Sequence, residues 1–127
     1  PGEGLAHATR AMRLNPSPPA TYFKILGRVR FGAEDYVGAA EALRQAIQIN
    51  PGDYLDYFFL VASLGYLARL DEAAAVIRRH DEELVLPLQR TGARVHKMSI
   101  QRGRSLKPMR VTPNRQLVEG LKRAGVR

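Results

Sequence analysis

The chain is 127 residues long, 45% hydrophobic, free of cysteine and tryptophan, and carries a formal net charge of +8. That length matches a single domain, and the lack of cysteine excludes a disulfide framework and a thiolate metal site. The charge is divided: up to Pro87 nine Lys/Arg face eleven Asp/Glu, a net of −2, whereas from Leu88 onward eleven face Glu119 alone, a net of +10.

The first predicted element is a helix over 3–14 within GLAHATRAMRLNP, with Leu5, Ala8, Met12 and Leu14 on one face. It reads as the closing half of a hairpin without its opening helix, so its bare face is a candidate for self-association through one end of a helix stack. Pro18 and Pro19 suit a helix's first turn, and Phe23, Ile25, Leu26, Val29 and Phe31 then dominate one face. Gly27 costs about 1 kcal/mol against alanine inside a helix, so a neighbouring helix is expected to approach closely there. A turn follows at Gly32 to Asp35, with Asp35 as the N-cap of the next helix. Tyr36, Ala39, Ala40, Leu43, Ala46 and Ile47 recur at helical spacing, and Asn50-Pro51-Gly52-Asp53 ends the helix. Residues 20–50 are thus a predicted helical hairpin.

A second hairpin is predicted over 53–85. Tyr57, Leu60, Val61, Leu64 and Leu67 mark its first helix, Ala68 to Leu70 its turn, Asp71 a cap, and Ala73, Ala74, Val76, Ile77 and Leu84 its second helix. Residues 1–86 form the repeat portion of this reading. Over 87–127 the periodicity fades into a basic linker interrupted by Gly92 and Gly103, until Thr112-Pro113 opens a capping helix over 113–124. Leu117, Val118, Leu121 and Ala124 share its face, and Gly125 suits its C-terminal cap. The expected fold class is all-α. No stretch reaches the ~20 apolar residues that span a bilayer, and the start has neither a methionine nor a signal-like apolar run. A cytoplasmic fragment of a longer chain, with no membrane contact, is expected.

Leu26-Gly27, Tyr36, Ala39, Ala46 and Pro51 resemble the tetratricopeptide signature, whose period is about 34 residues; Pro16 and Pro51, the two equivalent stops, stand 35 residues apart. The second copy keeps Leu60-Val61, Leu70, Ala73 and Ala74, but has Ala68 where the family prefers a turn glycine and His80 where it prefers alanine. The resemblance implies a right-handed solenoid of antiparallel helix hairpins with a C-terminal helical extension, and a protein–protein interaction role, because such repeats stack into concave binding surfaces. SLKPMRVTPNRQLVEGLKRAGV, Ser105 to Val126, is in turn similar to the C-terminal segment of bacterial multidomain signalling proteins. Those proteins place a class III adenylate or guanylate cyclase domain, or a DNA-binding response-type domain, ahead of such repeats, which implies a regulatory C-terminus here.

Carried over from the family, the peptide groove would be lined by Thr21, Lys24, Arg28 and Phe31 from one repeat and Leu55, Phe58, Ala62 and Tyr66 from the next. Such a groove suits an acidic or amphipathic peptide, with Lys24 and Arg28 on carboxylates and Phe58 and Tyr66 on apolar groups. The competing reading makes the two cations a solvated face and Phe58 core. A carboxylate clamp of the kind some relatives use is not supported, since Arg28 stands where asparagine is expected and Leu55 and Phe59 occupy the basic sites. Tyr54, Tyr57, Phe58, Phe59 and Tyr66, crowded on one helix, read as core before hot spot.

The rival function is polyanion binding by Arg90, Arg94, Lys97, Arg102, Arg104, Lys107, Arg110 and Arg115, whose charges would neutralise phosphates. The tail lacks a recognition-helix pattern and an aromatic stacking platform, so nucleic acid ranks below a protein partner, and docking on the slightly acidic repeat half is an alternative use of the charge. No phosphate-cradling loop or nucleophile motif is present. His7, His80 and His96 are far apart in sequence, and Asp81-Glu82-Glu83 reads as an exposed acidic run and not a proton-transfer pair. Neither catalysis, a cofactor nor a metal is expected.

Overall fold

A computed structural model of the chain describes residues 19–106 and 114–127. The helix expected over 3–14, with its self-association face, and the basic residues Lys107 and Arg110 lie outside the described residues. All regular structure among the described residues is helical.

Helices α1 (Pro19–Gly32) and α2 (Tyr36–Ile49) form the first hairpin. The turn between them closes because Glu34 takes a left-handed backbone, φ 63°, and the Asp35 N–H donates to the Arg30 carbonyl at 2.9 Å. Asp35 caps α2 as expected, its carboxylate accepting the Gly38 N–H at 3.0 Å. The two helices approach closely at Gly27: a Cβ there would stand 2.6 Å from Leu43 Cγ.

After the stop at Asn50, α3 (Tyr54–Tyr66) starts at Asp53, whose carboxylate accepts the Leu55 N–H at 3.1 Å. Every residue from Asp56 to Gly65 is buried. A helix that is apolar nearly all round must be covered on every side, and α3 accordingly touches α1, α2, the following helix and the C-terminal helix.

That following helix, α4 (Leu70–Arg78), begins one residue before Asp71, so Asp71 lies in its first turn and Arg69 takes the cap position without a side-chain bond. An acid in the first turn still favours the helix through the dipole. The helix then widens into a π-helical segment, Arg79–Val85, and continues as α5 (Leu86–Arg90). No break occurs at Pro87, the expected boundary. The Leu86 N–H reaches back five residues to the Asp81 carbonyl, so the proline enters in the first turn of a newly phased helix, where its missing N–H is tolerated.

An irregular stretch over 93–99 leads to α6 (Ile100–Ser105), capped by Ser99, whose hydroxyl accepts the Arg102 N–H at 3.1 Å. Helix α7 (Asn114–Arg123) lies along α3, and α6 packs on α7. The basic tail therefore folds back on the hairpins, and Leu117 and Leu121 join Phe31, Leu43, Phe58, Phe59 and Leu64 among the fully buried side chains.

Candidate interaction site on α3

Thr21, Lys24, Arg28 and Phe31 of α1 and Leu55, Phe58, Ala62 and Tyr66 of α3 are brought together on adjacent helices, yet none of the eight is exposed. The two cations already have acids. Lys24 pairs with Asp53, and Arg28 Nη2 lies 3.7 Å from Asp56 Oδ1 while its guanidinium sits 5.3 Å over the Phe59 ring. The reason is local: the cap and first turn of α3 place two carboxylates opposite the basic positions of α1. Arg28 and Asp56 attract without a hydrogen bond, leaving Arg28 Nε and Nη2 and Asp56 Oδ1 without partners. Desolvation, reinforced by the Asp53 charge and opposed by Lys24 and Arg28, pushes the Asp56 carboxyl up to about 6.

At the other end of the face the side chains are aromatic. Phe31 meets the edges or faces of Tyr36, Phe59 and Tyr66, and the Tyr36 and Tyr66 rings stack at 4.3 Å. Helix α7 covers this cluster. The Tyr66 hydroxyl donates to the Gln116 carbonyl at 2.8 Å, and Gln116 Nε2 donates to the Phe31 carbonyl at 2.7 Å and to the Tyr36 hydroxyl at 3.1 Å. Burial is the main reason that the Tyr66 phenol is pushed up to about 12, with Tyr36 adding to it.

The approach of α7 to α3 is backbone to backbone. A Cβ on Gly120 would stand 2.7 Å from both Ala62 Cβ and Tyr66 Cε2, and a Cβ on Gly65 would strike the Gly120 carbonyl. Gln116 and this glycine pair escaped the reading of the sequence. Their only trace there is a glycine inside QLVEGLKRA, a helix that would otherwise prefer alanine. Phe58 is fully buried beside Tyr54 and His80, as core, and Leu55 packs at its margin.

The tail cations are dispersed. Arg90, Arg94, Lys97, Arg104 and Arg115 are exposed, whereas Arg102 is half-buried with its guanidinium 5.9 Å over the Tyr54 ring. Asp81 is not part of a solvated acidic run: its carboxylate lies 2.8 Å from His80 Nδ1 and accepts the Met98 N–H at 2.8 Å, while Glu82 and Glu83 are exposed. Among the described residues, no group of three or more His, Cys, Asp or Glu side chains could hold a metal, and no helix is long and apolar enough to cross a membrane. No family model matches the chain, and neither a curated protein nor a solved structure does.

Proposed function

We propose that the chain is a tetratricopeptide-like protein-interaction module whose α1–α3 face binds a helical segment of a partner, with α7 holding that face in cis. The manner in which α7 is seated supports the reading. An amphipathic helix whose Gly120 stands one turn after Leu117 and directly before Leu121 fits against Ala62, Gly65 and Tyr66. Full burial of Leu117 and Leu121 is worth roughly 1.5–3 kcal/mol each, and a tethered helix acts at an effective concentration in the millimolar range. A partner must therefore match α7 in chemistry and exceed it in affinity, or meet a chain whose α7 has been displaced.

In this reading the two hairpins are consecutive solenoid units, the chain is a non-catalytic scaffold, and the similarity of Ser105 to Val126 to signalling proteins makes it the regulatory end of a longer bacterial protein. The test uses the full chain with Gly120→Val or Leu121→Lys, each of which releases α7, and a labelled peptide of residues 105–126. Anisotropy should rise saturably on the released variants and stay flat on the wild type, with helix content retained in circular dichroism. Folded variants that ignore the peptide would remove the reading. Polyanion binding is the second reading, favoured by the exposure of Arg90, Arg94 and Lys97. It requires an affinity for single-stranded DNA that falls steeply with salt and is lost in the triple glutamine variant at these positions.

A further inference from the structure

A second candidate site lies where the π-helical segment meets the tail. A cavity of about 260 Å³ opens there between α3, the segment Arg79–Val85, α5 and the stretch over 93–99. Its lining mixes the apolar side chains of Leu84, Val85, Leu88 and Val95 with the cations Arg94 and Arg102 and the imidazoles of His80 and His96, and no aspartate or glutamate lines it.

The tail is held there by specific bonds. Gln89 Nε2 donates to the Val95 carbonyl at 2.9 Å, and the Met98 N–H to Asp81 at 2.8 Å, so the chain turns back at Gly92, φ 88°, and returns Arg94 and His96 to the helix they have just left. The π segment contributes the buried His80 and Val85 to the lining. Among the described residues, neither Arg94 nor His96 has an ion pair or a side-chain hydrogen bond. Among the described residues the Arg102 guanidinium has no ion pair, its Cζ stands 5.9 Å from the centre of the Tyr54 ring, and its Nε is buried with no acceptor. An unmet buried donor costs about 1–3 kcal/mol, which a carboxylate accepting from it would recover.

We propose that this cavity binds a small monocarboxylate carrying an apolar group. The volume is below the ~300 Å³ at which drug-sized ligand sites begin, so the ligand is short. A planar carboxylate matches the two parallel N–H groups of a guanidinium edge, and the four apolar lining side chains, Leu84, Val85, Leu88 and Val95, have no use for a bare inorganic anion. The acid can be a free carboxylic acid or the terminal residue of a peptide, which share this chemistry.

The experiment is an amide-resolved NMR titration of the full chain with N-acetyl-leucine, N-acetyl-leucinamide, 4-methylpentanoate and inorganic phosphate. N-acetyl-leucine or 4-methylpentanoate should shift Val95, His96 and Arg102 saturably, and the neutral amide should bind about tenfold more weakly or worse. Equal binding of the two acids assigns the site to a free acid, and preference for N-acetyl-leucine assigns it to a peptide end. Arg102→Met, which keeps the aliphatic stem, should lower affinity about tenfold, and Arg94→Gln, at an exposed position, provides the same comparison if the first variant misfolds. Acid and amide binding alike, phosphate reproducing the shifts, no saturable shift at all, or charge-removed variants binding like the wild type would each overturn the proposal.

Discussion

Replacement of Gly120 by alanine should undock the C-terminal helix, although the same change would stabilise an isolated helix. The new methyl would lie 2.7 Å from Ala62 Cβ and 2.8 Å from the Ala62 carbonyl oxygen. The carbonyl belongs to the backbone of the central helix and cannot turn aside, so α7 must lift as a body. Overpacking of this kind costs about 1–3 kcal/mol, and lifting also weakens the contacts of Leu117 and Leu121, both fully buried, whose burial is worth roughly 1.5–3 kcal/mol each. The gain in helix propensity is about 1 kcal/mol. The net loss is on the order of 2 kcal/mol, which for a domain of this size lowers Tm by roughly 10 °C. Thermal melting followed by circular dichroism reads the stability, and hydrogen exchange over 115–126 reads the docking. Gly52→Ala serves as control, since a Cβ there meets only Asn50 Oδ1 at 3.4 Å, and it should stay within about 0.5 kcal/mol of the wild type. A Gly120→Ala protein with unchanged Tm and unchanged exchange would refute the backbone contact as the basis of docking.

Gln116→Leu removes the donor to the Phe31 carbonyl and the Tyr36 hydroxyl and should cost about 1–2 kcal/mol in urea titration. Glu119→Gln, which breaks only the exposed pair with Arg123, should cost under about 0.5 kcal/mol. Leu43→Ala should lose about 2–5 kcal/mol, but Gly27→Ala in the same protein should recover part of this, because the clash of the Gly27 methyl is with the Leu43 side chain. Additive losses in that double-mutant cycle would show that the two positions do not share space. Folded Asp56 keeps its proton up to about pH 6, whereas an unshifted carboxyl releases it near 3.8. The folded state thus binds more protons in that window, and the contribution of Asp56 to stability is full below it and is lost as pH rises through 6. Two pK units correspond to about 3 kcal/mol, so wild type minus Asp56→Asn should fall in stability between pH 4 and 6, and a flat difference would contradict the assignment.

Local chemistry made much of the helical framework legible. Asp35 caps the helix it precedes, Asn50-Pro51 stops α2, and Gly27 marks a close helix approach, all because capping, breaking and close packing act within a few residues of chain. The second hairpin was harder to read at its end. Pro87 is a strong breaker by itself, but a π turn five residues long in hydrogen-bond reach absorbed it, and no residue pattern announces such a turn.

The eight groove positions that the resemblance implied lie on α1 and α3, but whether they were open or already covered could not be read from the sequence. Lys24 and Arg28 look like free cations until Asp53 and Asp56 are placed opposite, and Tyr66 looks like a ligand-facing ring until α7 covers it. The deciding contacts join residues far apart in the chain: Tyr66 with Gln116, fifty positions on, and Phe31 with Gln116, eighty-five on. By itself the sequence placed the cap at Asp35 and the stop at Asn50-Pro51, and left open whether the basic tail would stay solvated or seek a surface on the repeats. Only the tertiary structure decided that the surface is α3 of the same chain, because a face buried on all sides is completed by whichever helix can approach it closely enough, and Gly65 and Gly120 let α7 do so.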